Sequence, residues 1–510
     1  MVLHCARAEM KWFILCCLGL AVSRPVAGKA EDWAHFGPLL DQFKLTLDPG
    51  ERTEALGPFY YSERKDTQKT WAVPPLFSLV TDATAESEEY DFLYPLLTYD
   101  RYGAQYRWQF LQLFSFAGGP TQTETHRRRF TIYPIYFQQR SADTNENYTA
   151  LLPFYGHLKN RLYRDEIFFV TPFYAVTRKK DIVTDNYFYP FVHVRRGDGL
   201  TGWQFWPFVG AEHKTVTTAT NLFGDVSLVP GHDWYFGLWP FYHNEYSNLG
   251  TTNEEHRQGV LPFYNVQRSP NRDMSTVLWP FFSRIDDREK KYLEWQLPWP
   301  IIGFARGEGK TMNRVIPFYS HAQSPTDEED SYLWPVFHYS RLRADPLDRE
   351  RWRILYFLYS DTRLKNSESG KFRRRTDFWP LFNYSRGFDG RSRLQILAPL
   401  EPFIPTNKSI ERNYSPLWSL WLAQCDPAQQ TASQSLLWNL YRHESGPGSG
   451  HWSALFGLVQ HETRGTNGRW RLFFVPLGRA PEKYIGAKPG AGQSFVAVTP
   501  PPTGLAAIEP

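Results

Sequence analysis

The sequence predicts an all-β chain: an up-and-down antiparallel meander of about 22–24 strands, built on a repeat of about 19 residues and closed as a large barrel. Three observations lead there. First, an apolar residue, often Trp, is followed by Pro and two aromatic or aliphatic residues, again and again from residue 58 to residue 476. The motif prolines Pro134, Pro153, Pro172, Pro190 and Pro207 are spaced 19, 19, 18 and 17, and Pro262, Pro280, Pro300, Pro317 and Pro335 by 18, 20, 17 and 18. Second, the segments around the motif are rich in Trp, Tyr, Phe, Val, Ile and Thr, the residues that strands favour, and short polar clusters such as 269–273 (SPNRD) and 387–391 (GFDGR) divide them. Third, no segment sustains a 3.6-residue apolar period, so almost no helix is expected.

In chain order, residues 1–30 have the form of an export signal. Lys11 is basic, Trp12–Val22 is apolar but too short to span a bilayer as a helix, and Ala27-Gly28-Lys29-Ala30 supplies small residues for cleavage. Met10 is an alternative start. Residues 31–57 form a lead-in with room for one further strand, residues 58–479 the repeat domain, and residues 480–510, rich in Pro, Gly and Ala, a disordered tail. Cleavage after Ala30 leaves one cysteine, Cys425, so no internal disulfide can form. The full chain carries 57 basic and 53 acidic residues, too even a balance for a nucleic-acid partner.

Taken as one strand centred on the motif Pro, the repeat is apolar at even offsets from −2 to +4 and turns to Arg at +6. The +6 residues Arg64, Arg101, Arg140, Arg178, Arg196, Arg268, Arg306, Arg341 and Arg386 are the candidate interfacial residues. A parallel solenoid would stack them as a like-charge ladder. A meander divides them between two rims, which favours the meander. An exported, disulfide-free chain of this pattern resembles the outer-membrane β-barrel proteins of Gram-negative bacteria. That resemblance is to the class and covers roughly residues 58–479. It implies lipid as a partner, aromatic girdles at the interfaces, and arginines reaching for phosphate.

No catalytic, cofactor or metal site is evident in the sequence. Gly303–Thr311 has one residue too many for a phosphate loop, and Phe304 stands where a Gly is needed. His443-Glu444, His232-Asp233 and Asp286-Asp287 lack metal-ligand spacing. Asn147, Asn407 and Asn413 match the glycosylation sequon, read here as chance. The expected function is an outer-membrane channel, transporter or envelope scaffold and not an enzyme. The alternative is a periplasmic or secreted β-repeat scaffold that binds a polysaccharide or a protein partner. Mass analysis of the mature N-terminus checks export: the expected first residue follows Ala30, and an intact Met10 would exclude cleavage.

Overall fold

Each repeat folds as a β-hairpin, and the Pro motif is its turn. The computed structural model describes residues 39–477, except 121–125, 221–223, 406 and 466. Residues 1–30, read above as an export signal, and the expected tail from residue 480 lie outside the described residues. One copy shows the plan. Strand Arg272–Val277 enters the turn Leu278-Trp279-Pro280-Phe281, strand Phe282–Asp287 returns, and a polar turn at 288–291 leads to strand Tyr292–Gln296. Proline has no N–H to give a ladder, so it weakens a strand but costs a turn nothing. The motif prolines follow cis bonds, as at Trp279-Pro280 and Trp334-Pro335. Copies that lack Pro turn instead on paired left-handed residues, Leu111 with Gln112 and Leu455 with Phe456. That is the backbone of the tight hairpin turns whose twist matches the strands.

The expected single strand per repeat is therefore corrected to two. Forty-three strands form one antiparallel sheet in chain order, nearly twice the number the sequence suggested, and Thr217–Thr220 with Val226–Val229 form a separate hairpin. Among the described residues the α-helices are two short ones, Lys408–Asn413 (α1) and Ser415–Trp418 (α2).

The barrel closure expected from the sequence is also corrected. Among the described residues the first strand, Asp41–Lys44, pairs only with Gly50–Ala55, and the last, Val475–Leu477, only with Asn467–Leu472. Edge-to-edge pairing is replaced by side-chain contact. Thr46 donates to Ser433 at 2.6 Å, and Asn439 to Glu54 at 2.8 Å. Along the ladder these strands stand roughly 170–180 Å apart, at about 4.8 Å per strand. They touch because the sheet bends round until its ends overlap.

The bend follows from the two faces. One face reads Ser78, Val80, Asp91, Thr98, Gln139, Asn186, Glu212, Asn265, Thr276, Ser283, Glu294 and Ser331, all buried. The other carries Trp71, Phe92, Trp108, Phe130, Trp203, Phe282, Trp295 and Trp352, all exposed. Side chains crowd together on a concave surface and splay on a convex one, so the polar face is the inner one. Small residues permit the crowding. Phe236, fully buried, lies over Gly210, where a Cβ would come within 2.3 Å of the Phe236 ring, and Phe169 lies as close over Gly156. Phe236→Ala should therefore lower stability by about 3–5 kcal/mol. Phe263→Ala, at an exposed turn tip, should stay within about 0.5 kcal/mol. Chemical denaturation of both variants measures the contrast.

Candidate functional site

Because every repeat is one hairpin, all motif turns fall on the same rim of the sheet and all polar turns on the other. The motif rim presents Phe154, Phe173, Phe241, Phe263 and Phe318 at their tips, each more than half exposed, with Leu238, Trp279, Leu333 and Trp334 beside them. Its turn N–H groups are paired from turn to turn. Leu278 N–H donates to Phe263 O at 2.8 Å, Trp299 to Phe281 at 2.7 Å, Ile316 to Ile301 at 2.8 Å and Leu333 to Phe318 at 2.9 Å. The same link joins Leu152 to Ile135, Thr171 to Phe154 and Phe188 to Phe173. The ladder thus continues through the turns by their N–H groups, beneath a line of apolar side chains.

Below the rim the outer face is apolar for one or two positions per strand, the second position being charged on some strands, as at Asp185, Arg284, Asp330 and Asp361. Strands leaving the turn carry Tyr174 and Val176, Val192 and Val194, Ile302 and Phe304, or Phe337 and Tyr339, and strands entering it carry Tyr90 and Phe92 or Phe130 and Ile132. Neighbouring rings touch across the strands, with Tyr99 and Trp108 centroids 4.4 Å apart and Tyr339 and Trp352 4.5 Å apart. From turn tip to the first charged position the belt is roughly 10–20 Å deep, at about 3.3 Å per residue.

All nine sequence-predicted arginines lie on this outer face at the foot of the belt. They share one rim and are not divided between two. The two-rim expectation took each repeat as one strand, so that alternate copies pointed opposite ways; with two strands per repeat every copy points the same way. Arg140, Arg268 and Arg306 repeat one geometry: each guanidinium donates to the preceding carbonyl, to a carbonyl on the next strand, and to a side-chain oxygen there, Thr149, Ser275 or Asn313. Arg341 forks onto Asp348 at 3.0 and 2.6 Å, while Arg101 pairs with Glu88 and Arg196 with Asp185. Arg386 lies 4.6 Å over the Phe372 ring, Arg178 stands opposite Glu166, and Arg64 is exposed beside Lys69.

The clasp where the two ends of the sheet meet was not anticipated from the sequence. Between strands Ser392–Ile396 and Trp421–Asp426 the repeat lapses, and α1 and α2 fill the inner side. Asn407 caps α1 by accepting from Ile410 N–H at 3.0 Å. Arg412 then reaches the N-terminal strands, donating to Glu89 at 2.6 Å and to Asp91 at 2.9 Å. Asp91 is buried and also accepts from Ser78 and Asn413. Tyr61 donates to the Arg412 carbonyl, and the Arg442 guanidinium sits 3.3 Å over the Phe43 ring. Glu401 gathers Gln395, Ser415 and Trp418 around one carboxylate oxygen. A cavity of about 690 Å³ remains at the seam, lined by Arg52, Tyr61, Lys408, Glu411 and Arg442 among others. Asn413 is wholly buried and Asn407 is a helix cap, so these two sequon asparagines are used structurally. The lapse of the repeat between residues 397 and 420, followed by Asn before a polar helical turn, was the available signal.

The other sequence candidates fall into the sheet. Gly303–Thr311 is a hairpin between strands Ile302–Gly307 and Thr311–Val315, and His232 bonds Glu212 at 2.7 Å. Among the described residues no group of three His, Cys, Asp or Glu side chains is placed to hold a metal ion, and no helix is long and apolar enough to cross a membrane.

No family model matches the chain, and no curated protein matches it. Among solved structures it is similar to the WD40 domain of SCAP from fission yeast, at 7% identity over 86% of this chain and 96% of that one, with a TM-score of 0.10. A superposition at that score carries no argument about fold or function.

Two measurements test the clasp. Arg412→Ala leaves the buried Asp91 carboxylate without its cation, and breaking such a pair costs about 3–5 kcal/mol. Amide exchange in residues 87–92 and 408–418 should accelerate accordingly, while Glu89→Gln, at a more exposed carboxylate, should have a smaller effect. Acid should loosen the clasp as well. The Arg393 guanidinium holds the Glu411 carboxyl below its ordinary range. A carboxyl lowered in the folded state stabilises fully above its unfolded value, near 4.5, and that contribution disappears as pH falls through the lowered value. The protection of α1 amides relative to their intrinsic exchange rate should therefore fall below about pH 4, and Glu411→Gln should remove that part of the response.

Proposed function

We propose that this protein is an exported ring-shaped scaffold of the outer membrane, which seats its motif-turn rim in lipid and keeps its polar inner wall in water. The observation that carries the reading is the rim, a line of exposed Phe, Trp and Leu whose turn N–H groups are already hydrogen-bonded from turn to turn. Soluble monomers rarely expose contiguous apolar patches beyond a few hundred Å². An apolar phase favours backbone whose polar groups are paired, and the rim's turn N–H groups are paired from turn to turn. The arginines at the foot of the belt stand where a headgroup phosphate would be met.

The depth of the belt refines the reading. Barrels that cross the outer membrane carry an apolar band about 25 Å tall. Here the turn interrupts the apolar run, and the belt, at most about 20 Å deep, suits a single leaflet of a hydrocarbon core about 30 Å thick. Seating in one leaflet also removes the need for a closed ladder, because the polar rim and inner wall stay hydrated. The role that follows is to organise an envelope surface around a wide polar enclosure, without catalysis.

Liposome flotation tests this. Wild-type protein should float with the vesicles. The triple variant Phe263→Arg, Phe281→Arg, Phe318→Arg should lose at least tenfold in bound fraction while keeping its far-ultraviolet β spectrum, since a charge held in the band costs up to about 2–4 kcal/mol. Arg341→Ala, which removes one exposed pair, should change flotation less than twofold. Wild-type protein that stays with the aqueous phase, with its rim covered in a soluble oligomer, would overturn the proposal.

A further inference from the structure

On the inner wall, pairing of charges is the rule. Arg52 is held by Glu54 and Glu63, Arg195 by Glu212, Arg257 by Glu255, Arg442 by Glu444 and Arg464 by Glu462. One patch breaks it. Strand Leu347–Ile354 places Arg349, Arg351 and Arg353 on the inner face, by its pairing with Phe337–Ala344. Two strands on, Phe372–Phe378 places Arg373 and Arg375 there, with Ser360, Thr362 and Leu364 of strand Tyr359–Asn366 between the two rows.

The register makes the rows explicit. Arg351 stands opposite Thr362, which stands opposite Arg375, and Arg349, Leu364 and Arg373 form the next row. The carboxylate of the patch, Asp377, is already taken by Arg375, at 2.9 and 3.1 Å, and by Asn383. On the other side, strand Asp327–Tyr332 places two acids on the inner face, Asp327, which accepts from Thr326, and Glu329, 3.9 Å from His338. Among the described residues Arg349, Arg351, Arg353 and Arg373 make no side-chain hydrogen bond or ion pair, and the Nε atoms of Arg351 and Arg353 are buried without a partner. Elsewhere on the inner wall an arginine without an acidic partner stands singly, as Arg272, Arg314 and Arg469 do; only here do four lie together.

We propose that this patch is a binding site for a polyvalent phosphate-class anion, held by the guanidiniums of Arg349, Arg351, Arg353 and Arg373. Guanidinium forks match the oxygens of phosphate two at a time. Residues i and i+2 of one strand lie about 7 Å apart and alternate strands about 10 Å apart, so the arginines span two or three linked phosphates better than one. The hydroxyls of Ser360 and Thr362, in the strand between, supply neutral donors. The site faces the enclosure, away from the apolar belt, and its occupancy does not depend on lipid seating.

Calorimetry on the full chain tests it, with inorganic tripolyphosphate as the first probe and a diphosphorylated glycolipid in neutral detergent micelles as the second. Wild type should bind at least one probe, with affinity falling steeply as salt rises, because ion release accompanies each phosphate contact. Binding of tripolyphosphate alone identifies a free oligophosphate, and binding of the glycolipid alone a headgroup. Arg351→Gln with Arg353→Gln should weaken binding at least tenfold. Arg351→Lys with Arg353→Lys, which keeps the charge and loses the fork, should lie between. Arg195→Gln, at a paired site on the same wall, should leave binding unchanged. Absence of wild-type binding to both probes, or equal binding by the double Gln variant with its β spectrum intact, would overturn the proposal.

Discussion

The backbone link from each motif turn to the one before it is the constraint on which the rest of the structure depends. A hairpin one residue longer or shorter would move its turn off the rim and exchange its two faces, since side chains alternate with a period of two. Linking Leu278 to Phe263 and Leu333 to Phe318 keeps successive turns level. With turns level, the aromatic tips become a continuous rim, the arginines a continuous foot, and the polar residues a continuous inner wall. The aromatic belt and the charged wall are thus two consequences of one register.

The same register explains why the inner wall can be polar and still be buried. On a concave face, Gln, Glu, Asn and Ser side chains lie close enough to one another to satisfy their hydrogen bonds without a second layer, as Thr276 does with Ser283 and Gln139 with Arg129. Gly210 and Gly156 make room for Phe236 and Phe169 where a large ring turns inward. The clasp extends this chemistry across the gap between the ends of the sheet, with Arg412, Asp91 and Glu89 doing by charge what a closing ladder would do by backbone. A sheet held in this way can accept ends of unequal length, because overlap does not require the first and last strands to match.

The motif was legible in the sequence but its place was not. Pro280 and Phe281 read as the centre of a strand because aromatic residues flank them on both sides, and aromatic residues favour strands. Two facts pointed the other way. Proline is confined to strand edges, ends and bulges, and 19 residues is about twice what one strand of five or six residues and a turn require. The arginines at offset +6 were found because Arg recurs at a fixed step from Pro, a local relation that survives the turn. Their common rim was missed because it depends on where the chain reverses.

By itself, then, the sequence determined the all-β class, the antiparallel meander and the repeat length. These follow from local periodicity, which neighbouring residues impose on one another. Only the tertiary structure decided that the sheet is a ring joined by side chains, that Asn413 and Asp91 meet at its seam, and that Arg349, Arg351, Arg353 and Arg373 share an unneutralised patch. Asp91 and Asn413 are 322 residues apart, and no local pattern records that distance. The bend that brings them together is a small curvature summed over dozens of strands. The patch arises because two arginine-rich strands, each ordinary alone, lie two ladder steps apart on the same side of the wall.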